Sequence, residues 1–103
     1  MDRIEKLNEF LQANPNDSFV QHALALEYIK LGNDSEARAL FEAILSREPG
    51  YVGSYYHLVK LLERIGENDA AIKWCEKGLQ EAKRSGDQLA LNELQGVYDD
   101  LIY

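Results

Sequence analysis

Apolar residues recur along the chain at helical spacing. Over residues 18–31, Val20, Leu24, Tyr28 and Leu31 form one stripe, as an amphipathic helix requires. Asn16-Asp17-Ser18 ahead of it offers capping oxygens, and Gly32 behind it suits the left-handed residue that ends a helix. After Asn33-Asp34-Ser35, which can cap again, Ala37, Leu40, Phe41, Ile44 and Leu45 mark a second helix that stops before Pro49. The plan then repeats. Tyr55, Leu58, Leu62 and Ile65 lead to Gly66, and Ala71, Trp74, Cys75, Gly78 and Leu79 follow. No stretch alternates as a strand would.

The two helix pairs are in register. Pro15 and Pro49, Leu24 and Leu58, Gly32 and Gly66, Ala37 and Ala71, Glu42 and Glu76, and Leu45 and Leu79 are each 34 residues apart. Punctuation by glycine and proline at one phase in both units is the signature of a repeat. The pattern resembles the tetratricopeptide repeat family. Leu24-Ala25, Tyr28, Gly32, Ala37, Phe41 and Pro49 fill the family positions in the first unit, and Tyr55, Leu58, Gly66 and Ala71 fill theirs in the second. Four positions depart from it: Gln21 replaces a large residue, Val59 a small one, Leu62 the tyrosine and Cys75 the helix-B aromatic.

The ends are less regular. Ile4, Leu7, Phe10 and Leu11 lie on the phase of a helix B that finishes at Pro15, so residues 1–14 read as half a repeat. Beyond Leu79 the period slips around Lys83-Arg84-Ser85-Gly86, after which Leu91, Leu94, Tyr98 and Leu101 return to helix-A core positions. The fold expected is all-α: a right-handed α-solenoid of antiparallel helix pairs, forming one domain over 1–103. Its parts are a half-repeat helix (1–14), repeat 1 (15–48), repeat 2 (49–84) and a capping helix (85–103). Gly96, inside that last helix, costs about 1 kcal/mol against alanine and has no evident reason.

Composition sets the class of partner. The 103 residues are 46% hydrophobic and 28% charged, ordinary for a globular chain. Eighteen acids against 11 bases leave a net charge of −7, which disfavours nucleic acid and anionic membrane surfaces. The apolar runs are too short to span a bilayer, the first residues lack a signal-peptide core, and a single cysteine forms no internal disulfide. A cytoplasmic location is expected.

The resemblance implies a binding fold in which the A helices line a concave surface. The residues beside the core stripe are Phe19, His22, Leu26, Ile29 and Lys30 in the first unit, and Gly53, Tyr56, His57, Lys60, Glu63 and Arg64 in the second. Three fixed positive charges against one carboxylate is an unusual bias in so acidic a chain. Such a groove suits a peptide with acidic and apolar side chains, or a free carboxylate. The alternative for Lys60 and Arg64 is a solvated helix face with intrahelical partners. Relatives that bind heat-shock chaperone tails use a lysine, asparagine and arginine clamp. His22, Leu26 and His57 do not reproduce it, so that binding is not expected.

Catalytic chemistry is absent from the pattern. His22 and His57 lack further ligands for a metal, Cys75 lacks a placed base, and Gly50, Gly53 and Gly66 form no phosphate-cradling loop. Neither cofactor nor metal is expected, and enzyme activity is not. Histidines in the groove would raise affinity for an acidic peptide as pH falls toward 6. The function expected is a protein–protein interaction adaptor. Its rival is a homodimerisation module associating through its ends, where Val97, Tyr98, Leu101, Ile102 and Tyr103 lie close together.

Overall fold

The computed structural model of the chain describes residues Asp2–Tyr103. Among them are six α-helices and no strand: α1 (Arg3–Ala13), α2 (Ser18–Lys30), α3 (Asp34–Arg47), α4 (Gly53–Arg64), α5 (Asn68–Ser85) and α6 (Gln88–Ile102). The fold is the expected all-α helical repeat. By contact the chain forms two compact units, the first ending at Arg47 and the second covering Glu48–Tyr103.

In the first unit α2 packs on both α1 and α3. The Asp17 carboxylate accepts from the Val20 backbone N–H and starts α2, satisfying one of the open donors of its first turn. Gly32 ends the turn between α2 and α3 at φ 78°, where a side chain would be strained. The core is Val20, Leu24, Ala25, Ala37, Phe41, Ile44 and Leu45. Full burial of the valine, leucine, isoleucine and phenylalanine side chains is worth about 1.5–3 kcal/mol each.

The second unit packs α4 on α5 and α6, and α5 on α6. Tyr55, Leu58, Val59, Leu61 and Leu62 of α4 are wholly buried with Ala71 and Cys75 of α5, and Leu94 of α6 closes the core. The slip in period is a longer helix: α5 has 18 residues where α3 has 14. It ends at Gly86, a left-handed cap, and Asp87 caps α6 through the Ala90 N–H.

Several expected core positions differ. Leu31 and Ile65, equivalent in the two repeats, are 64% and 41% exposed. Each is the residue after its helix, at the turn into the left-handed glycine, and so swings off the stripe. Phe10 in α1 is 48% exposed, and α1 buries no residue completely. At the other end Val97 is buried, so it leaves the expected exposed cluster, in which Ile102 and Tyr103 remain open. Gly96 has open space around it, and nothing in the structure explains it.

Candidate functional site

On the first unit, α2 presents Phe19, His22, Leu26 and Lys30 on one side of its core stripe. They line a shallow depression of about 380 Å³ together with Ala23, Glu27 and Arg3 of α1. Phe19 stands 74% exposed at its edge. The His22 ring meets the edge of buried Phe41 at 5.6 Å between centroids, which ties this face to the core. Ile29 is half-buried and takes no part in the depression. Sequence spacing missed Arg3 and Glu27. The Lys30 ammonium donates to the Glu27 carboxylate at 2.9 Å, and the Arg3 guanidinium lies 3.5 Å from the same oxygen. The bond from Lys30, with the charges of Lys30 and Arg3, holds the Glu27 carboxyl below its ordinary value against the opposing effect of burial.

On the second unit, Tyr56 and His57 meet edge to face at 5.6 Å, and both are half-buried. Lys60 and Arg64 lie exposed further along α4, and Gly53 is exposed at its start. Lys60 donates to Glu63 at 3.0 Å, and that bond, with the charges of Glu63 and Asp100, raises its pKa. Asp100 is on α6, so the capping helix carries negative charge toward the basic edge of α4. The charge bias read from α2 and α4 alone is therefore reduced: Glu27 joins the first face, and Lys30 and Lys60 each hold a carboxylate on their own helix. Burial pushes the His57 pKa below its ordinary value, opposed by Glu93 of α6. The part of the expected gain that His57 would supply is thus moved to lower pH.

A second group of residues carries the scaffold. Arg47 donates from Nη2 to Ser18 Oγ and to Gln21 Oε1, both at 2.7 Å, and Gln21 Nε2 donates to the Pro15 carbonyl at 3.2 Å. Ser18 and Gln21 are buried. Departure from the family pattern at Gln21 was visible in the sequence, but its partner 26 residues away was not. Cys75 is buried and donates to the Leu94 carbonyl at 3.3 Å, and burial pushes its thiol up to about 11. A thiol in that setting is a packing group. Trp74, half-buried, tilts against Tyr55 at 6.3 Å, with the Lys77 ammonium 5.4 Å from its ring.

Among the described residues no three His, Cys, Asp or Glu side chains gather where they could hold a metal ion, and no helix is long and apolar enough to cross a membrane.

The family model described as tetratricopeptide repeat matches residues 29–93. The chain belongs to the tetratricopeptide repeat family. Repeats of this family mediate protein–protein interaction. A tetratricopeptide repeat domain protein from Salinibacter ruber, solved in solution, is 44% identical, with a TM-score of 0.80 over 84% of this chain and 88% of that one. A protein from Bordetella parapertussis is 26% identical, with a TM-score of 0.83 over 98% of this chain and 88% of that one. The same fold recurs in the TPR2B domain of yeast Sti1, solved as its complex with pHsp70. That domain is 16% identical, with a TM-score of 0.87 over 95% of this chain and 78% of that one. No curated protein matches the sequence.

Proposed function

We propose that this repeat protein is an adaptor that holds a peptide segment of a partner protein on the groove faces of its A helices. The partner segment carries acidic and apolar side chains or a free carboxylate. The observation that supports this most is the kind of residue that α2 and α4 leave outside their cores. Phe19, His22, Leu26, Ile29 and Lys30 on one, and Tyr56, His57, Lys60 and Arg64 on the other, put aromatic, aliphatic and cationic groups on the A-helix faces. Tyrosine and phenylalanine supply contact area with few rotors to freeze, and cations at the edge select the sign of the partner. The domain spans 1–103 in this reading and acts in the cytoplasm, without metal or cofactor.

The test is capture of partners from a host lysate by the wild type and by a Lys60→Glu/Arg64→Glu variant, with mass spectrometry as readout. Both proteins are first shown by circular dichroism to be folded. A protein held by wild type and lost by the variant supports binding on the A-helix face. Equal capture by both places binding elsewhere, and recovery of little besides the protein itself favours self-association.

A further inference from the structure

We infer that the depression on the first unit is the specificity site of this surface, taking one leucine- or phenylalanine-sized side chain of a partner segment beside a carboxylate received by Arg3 and Lys30. This rests on the reading of the A-helix faces as the partner surface and names what one of them recognises.

The repeat itself does not demand these residues. At the equivalent positions of the second repeat, Phe19 is matched by Gly53, Leu26 by Lys60 and Glu27 by the buried Leu61. The structure folds α4 without a large apolar group at the first two positions, so neither Phe19 nor Leu26 is there to complete a core stripe. Phe19 nevertheless stands 74% exposed beside a depression that Ala23 and Leu26 also line. An open aromatic edge next to small and aliphatic residues is the shape that an apolar anchor fills, and such anchors carry most of the energy of an interface.

The charges beside it point to the anchor's neighbour. Two cations share one carboxylate, so Arg3, Lys30 and Glu27 together carry one positive charge. The Glu27 side chain is 17% exposed, whereas those of Arg3 and Lys30 are 64% and 72% exposed. The carboxylate thus sits inward and orders the two cations, whose side chains are the exposed members of the group and keep further N–H donors. A partner carboxylate can accept from them without displacing Glu27. A lysine or arginine at the same place would meet like charge.

The probes are three fluorescein-labelled heptapeptides: a central leucine flanked by aspartates, the same peptide with alanine for leucine, and the same with lysines for aspartates. Binding to the full chain is followed by anisotropy at low salt, and amide shifts of the isotope-labelled protein locate it. The leucine–aspartate peptide should bind with shifts confined to residues 19–30 and 3, and each altered peptide should bind about tenfold more weakly. Phe19→Ala and Arg3→Glu should each weaken the first peptide at least about fivefold; Lys73→Glu, at an exposed position of α5, should leave it unchanged. Equal binding of the three peptides, or no binding of the first, overturns the inference. If its shifts fall only on residues 56–64, the inference fails while the proposed function stands. Equal partner capture by wild type and by the Lys60→Glu/Arg64→Glu variant in the lysate experiment would instead remove the function itself.

Discussion

The two repeats meet one structural requirement with opposite chemistry. In the first, Gln21 donates to the Pro15 carbonyl; in the second, Tyr55, 34 residues later, donates to the Pro49 carbonyl at 2.6 Å. Both side chains anchor the segment that enters the repeat. The glutamine leaves an amide oxygen to satisfy, and Arg47 supplies the donor. The tyrosine brings a ring instead, and space must be cleared for it. Ile44 is wholly buried in α3, but its equivalent in α5 is Gly78, where an added Cβ would lie 2.8 Å from Tyr55 Cγ and 2.9 Å from a Leu94 methyl. The residue equivalent to Arg47 is Glu81, which turns to Arg84 at 3.4 Å. Residue choice at one position thus fixes the choices at two others, and a repeat is a set of coupled sites rather than a string of independent preferences.

Exchanging residues between repeats breaks this coupling, and the largest effect is expected at the glycine. Gly78→Ile, which imports the residue of the first repeat, should destabilise by about 3 kcal/mol, the upper range for overpacking a core. Adding Tyr55→Gln in the same chain should recover part of that loss. Urea unfolding followed by Trp74 fluorescence and circular dichroism reads both, and a Gly78→Ile chain as stable as wild type would contradict the packing described.

The first repeat should fail through its polar network. Arg47→Ala leaves buried Ser18 and Gln21 short of a donor and should cost about 1–2 kcal/mol. Glu81→Ala, the equivalent change, loses only a pair with an exposed arginine and should cost no more than about 0.5 kcal/mol. Equal losses at the two positions would mean that the network adds nothing.

Tyr55→Phe removes one hydrogen bond and should cost about 1 kcal/mol at neutral pH. It should also alter the alkaline limb of the stability curve. Burial pushes the Tyr55 hydroxyl up to about 12 from 10. The folded state therefore holds this proton more tightly than the unfolded chain. The associated stability is complete below pH 10 and is lost as pH rises through 12. Denaturation midpoints measured from pH 8 to 12 should fall less steeply for Tyr55→Phe than for wild type; parallel curves would contradict the assignment.

The smallest effects are expected at Lys60 and His57 on α4. Lys60→Ala should change stability by less than about 0.5 kcal/mol, since its bond to Glu63 is exposed. His57, whose pKa is depressed by burial, contributes stability present above pH 6.5 and lost as pH falls through its lower folded value. His57→Gln should therefore flatten the stability curve below pH 6.5 and leave it unaltered above.

Most of the helical plan was legible because glycine, proline and apolar spacing act locally. The turn glycines Gly32 and Gly66 take positive φ in both repeats, and the core stripes of α2 to α5 follow helical spacing up to their last turns. What was not legible depends on partners distant in sequence. Phe41 and Ile44 could be placed on a core stripe, whereas the bond of Arg47 to Gln21 required knowing how α2 and α3 face one another. The same holds for the outer faces of α2 and α4. Phe19, His22, Leu26 and Lys30 follow from spacing on α2 alone, but Arg3 reaches them from α1, and Asp100 of α6 influences Lys60 across a helix pair. Leu31 and Ile65 misled because the helix ends one residue before the apolar period does.

The measurement that bears most directly on partner binding by the A-helix faces is chemical-shift mapping of the isotope-labelled chain with a segment of a captured partner. We expect perturbations at Phe19, His22 and Leu26 of α2 and at Tyr56, His57 and Lys60 of α4, with α3 and the outer residues of α5 silent. Perturbations concentrated on α3 and α5, or on the exposed end of α6 at Ile102 and Tyr103, would contradict it.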